Sequence, residues 1–149
     1  MLGELTANQI EVVLYREVVG RIGCHADDIT YIVPITYAYD GEYVYGHTKE
    51  GMKIDIMRKN PNVCFEVDAI ENMSNWRSII AWGTFEELKT KEERGSGMQQ
   101  LIDRVFPLLT GETTISHSMT DGHGKYVEAM KGVVYRIKLT KKTGRYEKR

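Results

Sequence analysis

Apolar residues recur at helical spacing near the start of the chain and again past its middle, and alternate with polar ones over most of the rest. Ile10, Val13, Leu14 and Val18 mark one face of a helix, because side chains three and four positions apart share a side. Thr6 with Gln9 three residues on reads as a capping box, so this helix is predicted to run to about Val19 and to stop at Gly20. Met98, Leu101, Ile102, Val105 and Leu109 draw the second stripe, with Pro107 placed to kink or close it. Such a stripe belongs to a core or a subunit interface.

Period-two alternation and β-branched or aromatic content predict strands over Arg21–His25, Tyr31–Tyr39, Tyr43–His47, Val63–Asp68 and Trp76–Glu87. Ala26-Asp27-Asp28 is a turn, Asp40-Gly41 is the strongest hairpin signal, and Glu71–Asn75 is a polar loop. Five strands with two hairpin-like connections suggest an antiparallel barrel with flanking helices. Val133, Tyr135, Ile137 and Leu139 make a last strand, and the basic tail from Lys141 is expected to fray. Pro34 falls in the middle of Tyr31–Tyr39. Proline cannot donate to a ladder, so it implies an edge or a bulge. A plain edge strand accounts for it; a flat heterocycle with donors and acceptors on its rim can also use the freed backbone.

Chemistry concentrates between Tyr43 and Pro61, YVYGHTKEGMKIDIMRKNP. Tyr43, Tyr45 and His47 share one strand face, a glycine-containing turn follows, and Asn60-Pro61 is a stop. In between, Met52, Ile54 and Ile56 alternate as a strand does, while Met52, Ile56 and Met57 fit a helical face. Arg58-Lys59 before the stop favours the helix. A strand handing over to a helix exposes unpaired N–H groups and the positive end of the helix dipole, a seat for phosphate or carboxylate. Thr48, Lys49 and Lys53 add a hydroxyl and two ammonium groups there. The corner is therefore expected to grip an anion, foremost a cofactor phosphate; an ordinary corner with solvated lysines is the plainer alternative. It is not a Walker loop: Gly46 and Gly51 have the glycine spacing, but Met52 and Lys53 follow where Lys and Ser/Thr are required.

The 149 residues suit a single domain, 1–149, with one core. A net charge of −1 gives no reason to expect nucleic acid or an anionic membrane as partner. No apolar run is long enough to cross a bilayer, and the N-terminus MLGELTANQ reads as no secretory signal. Cys24 and Cys64 form no CxxC pair and read as buried free thiols in a reducing cytoplasm. His25 alone reads as a satisfied or exposed histidine, and His117, Asp121 and His123, in the loop Thr110–Lys125, match no metal-ligand spacing.

Taken in order, GRIGC at 20–24, YIVPITYAYDG at 31–41, YVYGHTKEGMK at 43–53, NPNVCFEVD at 60–68 and WRSIIAWGTFEEL at 76–88 resemble the FMN-binding split-barrel proteins related to pyridoxamine 5′-phosphate oxidase. The likeness is to the branch containing the nitroimidazole-resistance proteins and covers roughly residues 4 to 110. It implies a six-stranded antiparallel split β-barrel that forms a homodimer, with FMN along the subunit interface. It implies that Val33, Pro34, Ile35 and Thr36 lie along the isoalloxazine, that His47, Thr48 and Lys53 hold the phosphate side, and that Trp76, Arg77 and Ser78 open a strand that also meets the cofactor. The oxidase's Ser-Arg-Lys run is Gly51-Met52-Lys53 here, and its C-terminal Trp and Arg have no clear counterpart, which argues against a vitamin B6 phosphate as substrate. A histidine at position 47 is typical of the nitroimidazole-resistance branch. The function implied is an FMN-dependent oxidoreductase passing electrons from NAD(P)H to a small acceptor such as a nitroaromatic, with His47 placed to deliver a proton. The physical needs of FMN agree: a phosphate clamp, a backbone edge for its pyrimidine ring, and apolar walls from the tyrosine and tryptophan strands. The alternatives are a non-catalytic flavin-binding protein of storage, sensing or stress response, or a haem protein with His25, His47, His117 or His123 as axial ligand.

Overall fold

A computed structural model describes residues 1–108 and 131–149. Among them, eight strands form one antiparallel sheet: β1 (Leu2–Glu4), β2 (Val19–Ala26), β3 (Ile29–Thr36), β4 (Ala38–Tyr39), β5 (Tyr43–Thr48), β6 (Asn62–Asn72), β7 (Asn75–Leu88) and β8 (Val133–Glu147). The six long ones correspond to the six strands expected; β1 and β4 are short additions of three and two residues. The order across the sheet is β3-β2-β6-β7-β8-β5-β4, with β1 also on β8.

The two ends of that path, β3 and β4, are separated in the chain only by Tyr37. A chain that leaves one edge of a sheet and at once joins the other forces the sheet to curl round, and the result is a split barrel. Tyr37 fixes the crossing: its N–H donates to Val18 C=O (2.9 Å) and its buried hydroxyl to Leu14 C=O (2.8 Å). The single strand expected over Tyr31–Tyr39 is therefore two, serving opposite edges. Pro34 stands on the edge strand β3, opposite Arg21 of β2, as a proline must.

The hairpin signal is borne out. Asp40 accepts the N–H groups of Glu42 (2.9 Å) and Tyr43 (2.7 Å) and the Tyr45 hydroxyl (2.8 Å), and Gly41 takes φ +101°. Asp27 and Asp28 both have positive φ in the β2–β3 turn.

Helix α1 (Ala7–Arg16) begins with the full Thr6–Gln9 capping box but ends at Arg16, short of the predicted Val19, which already belongs to β2. Met52–Lys59 is a helix, α2, burying Ile54, Ile56 and Met57. Helix α3 (Lys91–Val105) starts earlier than its stripe, at a Thr90 cap, and passes into a 3-10 turn at Phe106–Leu108.

The tail expected to fray is a paired strand. Up to Glu147 it lies between β7 and β1, with Arg77 opposite Tyr146 and Gly3 opposite the same residue from the other side. Its inward positions are Lys142, held by Glu11 and Tyr39, and Gly144, packed beneath Leu5 and Ile10. Neither registers as hydrophobic in the sequence.

The barrel interior holds Ile22, Val44, Phe65, Val67, Ile79, Tyr135 and Ile137, with Phe65 edge-on to Tyr37 at 5.0 Å. A second apolar cluster joins Met98, Leu101 and Ile102 of α3 to Ala38, Tyr45, Leu88 and Val134 on the barrel's outer face.

Candidate functional site

β5 delivers the chain to the corner. Tyr43, Tyr45 and His47 share its outer face as expected, but the two tyrosines are already engaged: the Arg136 guanidinium stacks 4.1 Å above the Tyr43 ring, and Tyr45 lies in the α3 cluster. Burial, with Asp40 beside it, pushes the Tyr45 hydroxyl up to about 12. His47, past the end of that cluster, opens on a cavity of about 860 Å³. Thr36, Thr48, Lys49 and Glu50 line its polar side, and Met98, Leu101 and Val105 its apolar side.

His47 Nε2 is 3.0 Å from Lys131 C=O. A carbonyl only accepts, so Nε2 carries a proton and Nδ1 is the nitrogen left over. Gly132 makes the approach possible: its φ is +74°, and a Cβ there would stand 2.6 Å from Thr48 O and 3.3 Å from His47 Nε2.

Past the corner, α2 starts at Gly51, which offers no side-chain cap, whereas α1 and α3 each carry a threonine cap. Lys53, second residue of α2, is half-buried, and among the described residues no carboxylate pairs with it. Burial pushes its ammonium pKa down, only partly opposed by the Cys24 thiol. A desolvated cation without a counter-ion, on a helix start with unclaimed N–H groups, is arranged to receive an anion.

Other residues singled out in the sequence lie differently. Of the four β3 residues singled out, Ile35 is buried in the barrel and Val33 half-buried, so only Pro34 and Thr36 present side chains outward. What β3 offers besides is a backbone edge that no other described strand pairs with. Trp76 and Arg77 line a separate cavity of about 510 Å³ beneath α1, where the Trp76 indole N–H donates to Glu147 (3.1 Å) and Arg77 is exposed with no carboxylate partner among the described residues. Ser78 lines a third cavity, of about 530 Å³, beside Lys142 and Arg145. Within one chain, then, Thr36, His47 and Thr48 meet in one cavity; Lys53 is on the adjoining helix near Cys24 and does not line that cavity, and Trp76, Arg77 and Ser78 open elsewhere.

Sequence reasoning missed the α3 wall, whose stripe reads as core or subunit interface, and missed Gly132 and the Lys131 carbonyl, which long-range pairing of β8 brings in. The expected tyrosine walls are instead core: Tyr37, Tyr39 and Tyr45 are all buried. His25 is exposed and bonded to Thr30 Oγ1 (2.9 Å), across the β2–β3 hairpin and away from the cavity. His117, Asp121 and His123 lie outside the described residues, and among the described ones no cluster of metal-ligating side chains occurs. Cys24 is buried and Cys64 half-buried, both free, and burial pushes both thiols up, away from thiolate reactivity. No described helix is long and apolar enough to cross a membrane.

A family model described as pyridoxamine 5′-phosphate oxidase matches residues 6–146. An uncharacterized protein of Rhizobium meliloti is 41% identical over 68 residues, which is 46% of this chain and 45% of that protein, so the match spans less than half of either. A crystal structure described as an FAD-binding protein of Mesorhizobium loti superposes with a TM-score of 0.76 at 26% identity, covering 98% of each chain. A candidate 5-nitroimidazole antibiotic resistance protein of Bacteroides thetaiotaomicron superposes with a TM-score of 0.72 at 18% identity, over 98% of this chain and 87% of that one, a likeness of fold.

Proposed function

The chain belongs to the pyridoxamine 5′-phosphate oxidase family, and from that premise we propose that it is a homodimeric flavin-dependent oxidoreductase that binds FMN at the β5–α2 corner. The observation that carries this reading is Lys53, half-buried and, among the described residues, without a counter-ion. Its ammonium and the Thr48 hydroxyl are suited to a phosphate, together with the uncapped N–H groups of α2. The open edge of β3 beside Pro34 and Thr36 offers backbone groups to a heterocycle's donor–acceptor rim, and Met98, Leu101 and Val105 offer an apolar wall. The flavin would supply the electron transfer, and the protein its orientation, electrostatics and proton supply.

In this reading NAD(P)H is the donor, a small acceptor such as a nitroaromatic enters the cavity of about 860 Å³, and His47 takes a proton from solvent on Nδ1 and passes it on, while Nε2 stays on Lys131 C=O. A second copy of the chain would bring Trp76, Arg77 and Ser78 to the cofactor, since one chain leaves them facing other cavities. The outer sheet face suits such a partner: Ile32 is 69% exposed and Ile80 and Trp82 each 40%. The FAD-binding description of the Mesorhizobium loti structure favours a second reading in which the same corner takes the dinucleotide.

The test begins with the colour of the purified full-length protein. Flavin bands, then chromatography of the released cofactor, distinguish FMN from FAD; a Soret band would replace both with haem. Turnover of NAD(P)H with a nitroimidazole at low oxygen follows. A rate no higher than that of free FMN removes the enzymatic reading while leaving flavin binding standing.

A further inference from the structure

Glu50 is misplaced for an anion site. It sits in the corner loop between Thr48 and α2, and is the one carboxylate among the described residues lining the His47 cavity. Arg58, in the last turn of α2, grips it with a two-pronged contact, Nη1 to Oε2 at 2.7 Å and Nη2 to Oε1 at 2.9 Å. The same guanidinium reaches Glu87 on β7, Nε to Oε1 at 2.8 Å and Nη2 to Oε2 at 3.1 Å. No other cation among the described residues pairs with Glu50. A lysine could not serve both carboxylates in this forked way.

We propose that Arg58 is a positioning residue that keeps the Glu50 carboxylate tied back and neutralised by the two-pronged pair, so that Thr48 and Lys53 present a net attraction to a phosphate. This rests on the phosphate reading of the corner given above. An ordinary ion pair that merely fastens α2 to β7 would affect every ligand of the site alike. A charge-withholding role affects only ligands that carry the phosphate, and riboflavin is FMN without it.

The experiment titrates the cofactor-stripped full chain with FMN and with riboflavin, for the native protein, Arg58→Gln, Glu50→Gln and the double variant. Arg58→Gln is expected to weaken FMN about fivefold to tenfold, the scale of one carboxylate against a dianion several ångströms away in a watery dielectric. Riboflavin affinity should stay within about twofold, and the FMN loss should shrink at high salt. Adding Glu50→Gln should restore FMN binding to within about twofold of native. Unchanged FMN affinity, an equal loss for riboflavin, or a double variant as weak as Arg58→Gln overturns the proposal. If Arg58→Gln does not fold, Glu50→Gln alone decides: FMN affinity equal to native or tighter upholds the role, and a loss beyond about threefold overturns it. A native protein that binds FMN and riboflavin alike refutes the phosphate reading and this role with it. A native preference for FMN that survives Arg58→Gln refutes Arg58 only.

Discussion

Inside the barrel, Ile22, Phe65, Val67, Ile79 and Ile137 are sealed from water, and the polar groups that enter come with partners, as the Tyr37 hydroxyl does with Leu14 C=O. Among the described residues no buried side-chain nitrogen or oxygen lacks a hydrogen bond. At the β5–α2 corner the rule is relaxed. Among the described residues, Lys53 is desolvated without a counter-ion, Gly51 leaves a helix start uncapped, and Glu50 stands in the cavity wall on a single arginine. The first two cost the isolated chain something that a bound anion would return, and the third is a charge such an anion needs withheld. The contrast separates residues that specify the fold from residues held ready for something else. The former should be costly to change for stability alone, the latter for binding alone.

The largest expected effect tests the first half of that statement. Phe65→Ala removes a fully buried ring packed edge-on against Tyr37 and should lower unfolding free energy by about 3–5 kcal/mol, read by urea denaturation. The variant protein that remains folded should still take up one equivalent of cofactor per site. Loss of flavin affinity in the folded fraction would mean that barrel and corner are not separable. Lys53→Ala should do the reverse. FMN affinity should fall by about 1.5–3 kcal/mol, the range of a charge-assisted hydrogen bond, with titration calorimetry as the check. The folded Lys53 pKa lies below its unfolded value, so burial of the charged form opposes folding at neutral pH, and that opposition fades as pH rises past the folded pKa. The cofactor-free Lys53→Ala protein should accordingly be no less stable than native at pH 7. An unchanged FMN affinity would sink the phosphate assignment.

How far the sequence reaches follows the same division. The barrel wall was legible because alternation such as Val63, Phe65 and Val67 is dictated locally, as are the Thr6–Gln9 capping box and the Asp40-Gly41 turn. The break at Tyr37 was not, because Tyr31–Tyr39 alternates without interruption; its halves part only because the curled sheet presents two edges. The tail reads as fraying because its inward positions are a paired lysine and a glycine, which contribute packing without hydrophobic signal. At the corner, His47, Thr48 and Lys53 could be named from a strand, a turn and a helix start. The α3 wall and Gly132 could not, since non-local packing brings them there. Family resemblance groups Trp76, Arg77 and Ser78 with the corner, and a single chain does not unite them with it.

The smallest effect sharpens the comparison by pH. Arg58 holds the Glu87 carboxyl below the usual carboxylate range, mainly by direct hydrogen bonding. A group whose folded pKa is depressed contributes stability that is complete above its unfolded pKa, about 4.3 for glutamate, and is lost as pH falls through the folded value. The pair is largely solvent-screened, so its contribution should be about 0.5–1 kcal/mol. Thermal unfolding of cofactor-free native protein and Glu87→Gln should therefore differ by a small, constant margin from pH 7 down to about pH 5. The margin should close below about pH 4, and shrink at high salt throughout. Phe65→Ala, compared in the same way, should show a gap indifferent to both, because an apolar cavity has no charge to titrate or screen. A Glu87→Gln margin as flat as that of Phe65→Ala would place the Arg58 network with the barrel's packing rather than with the electrostatics of the corner.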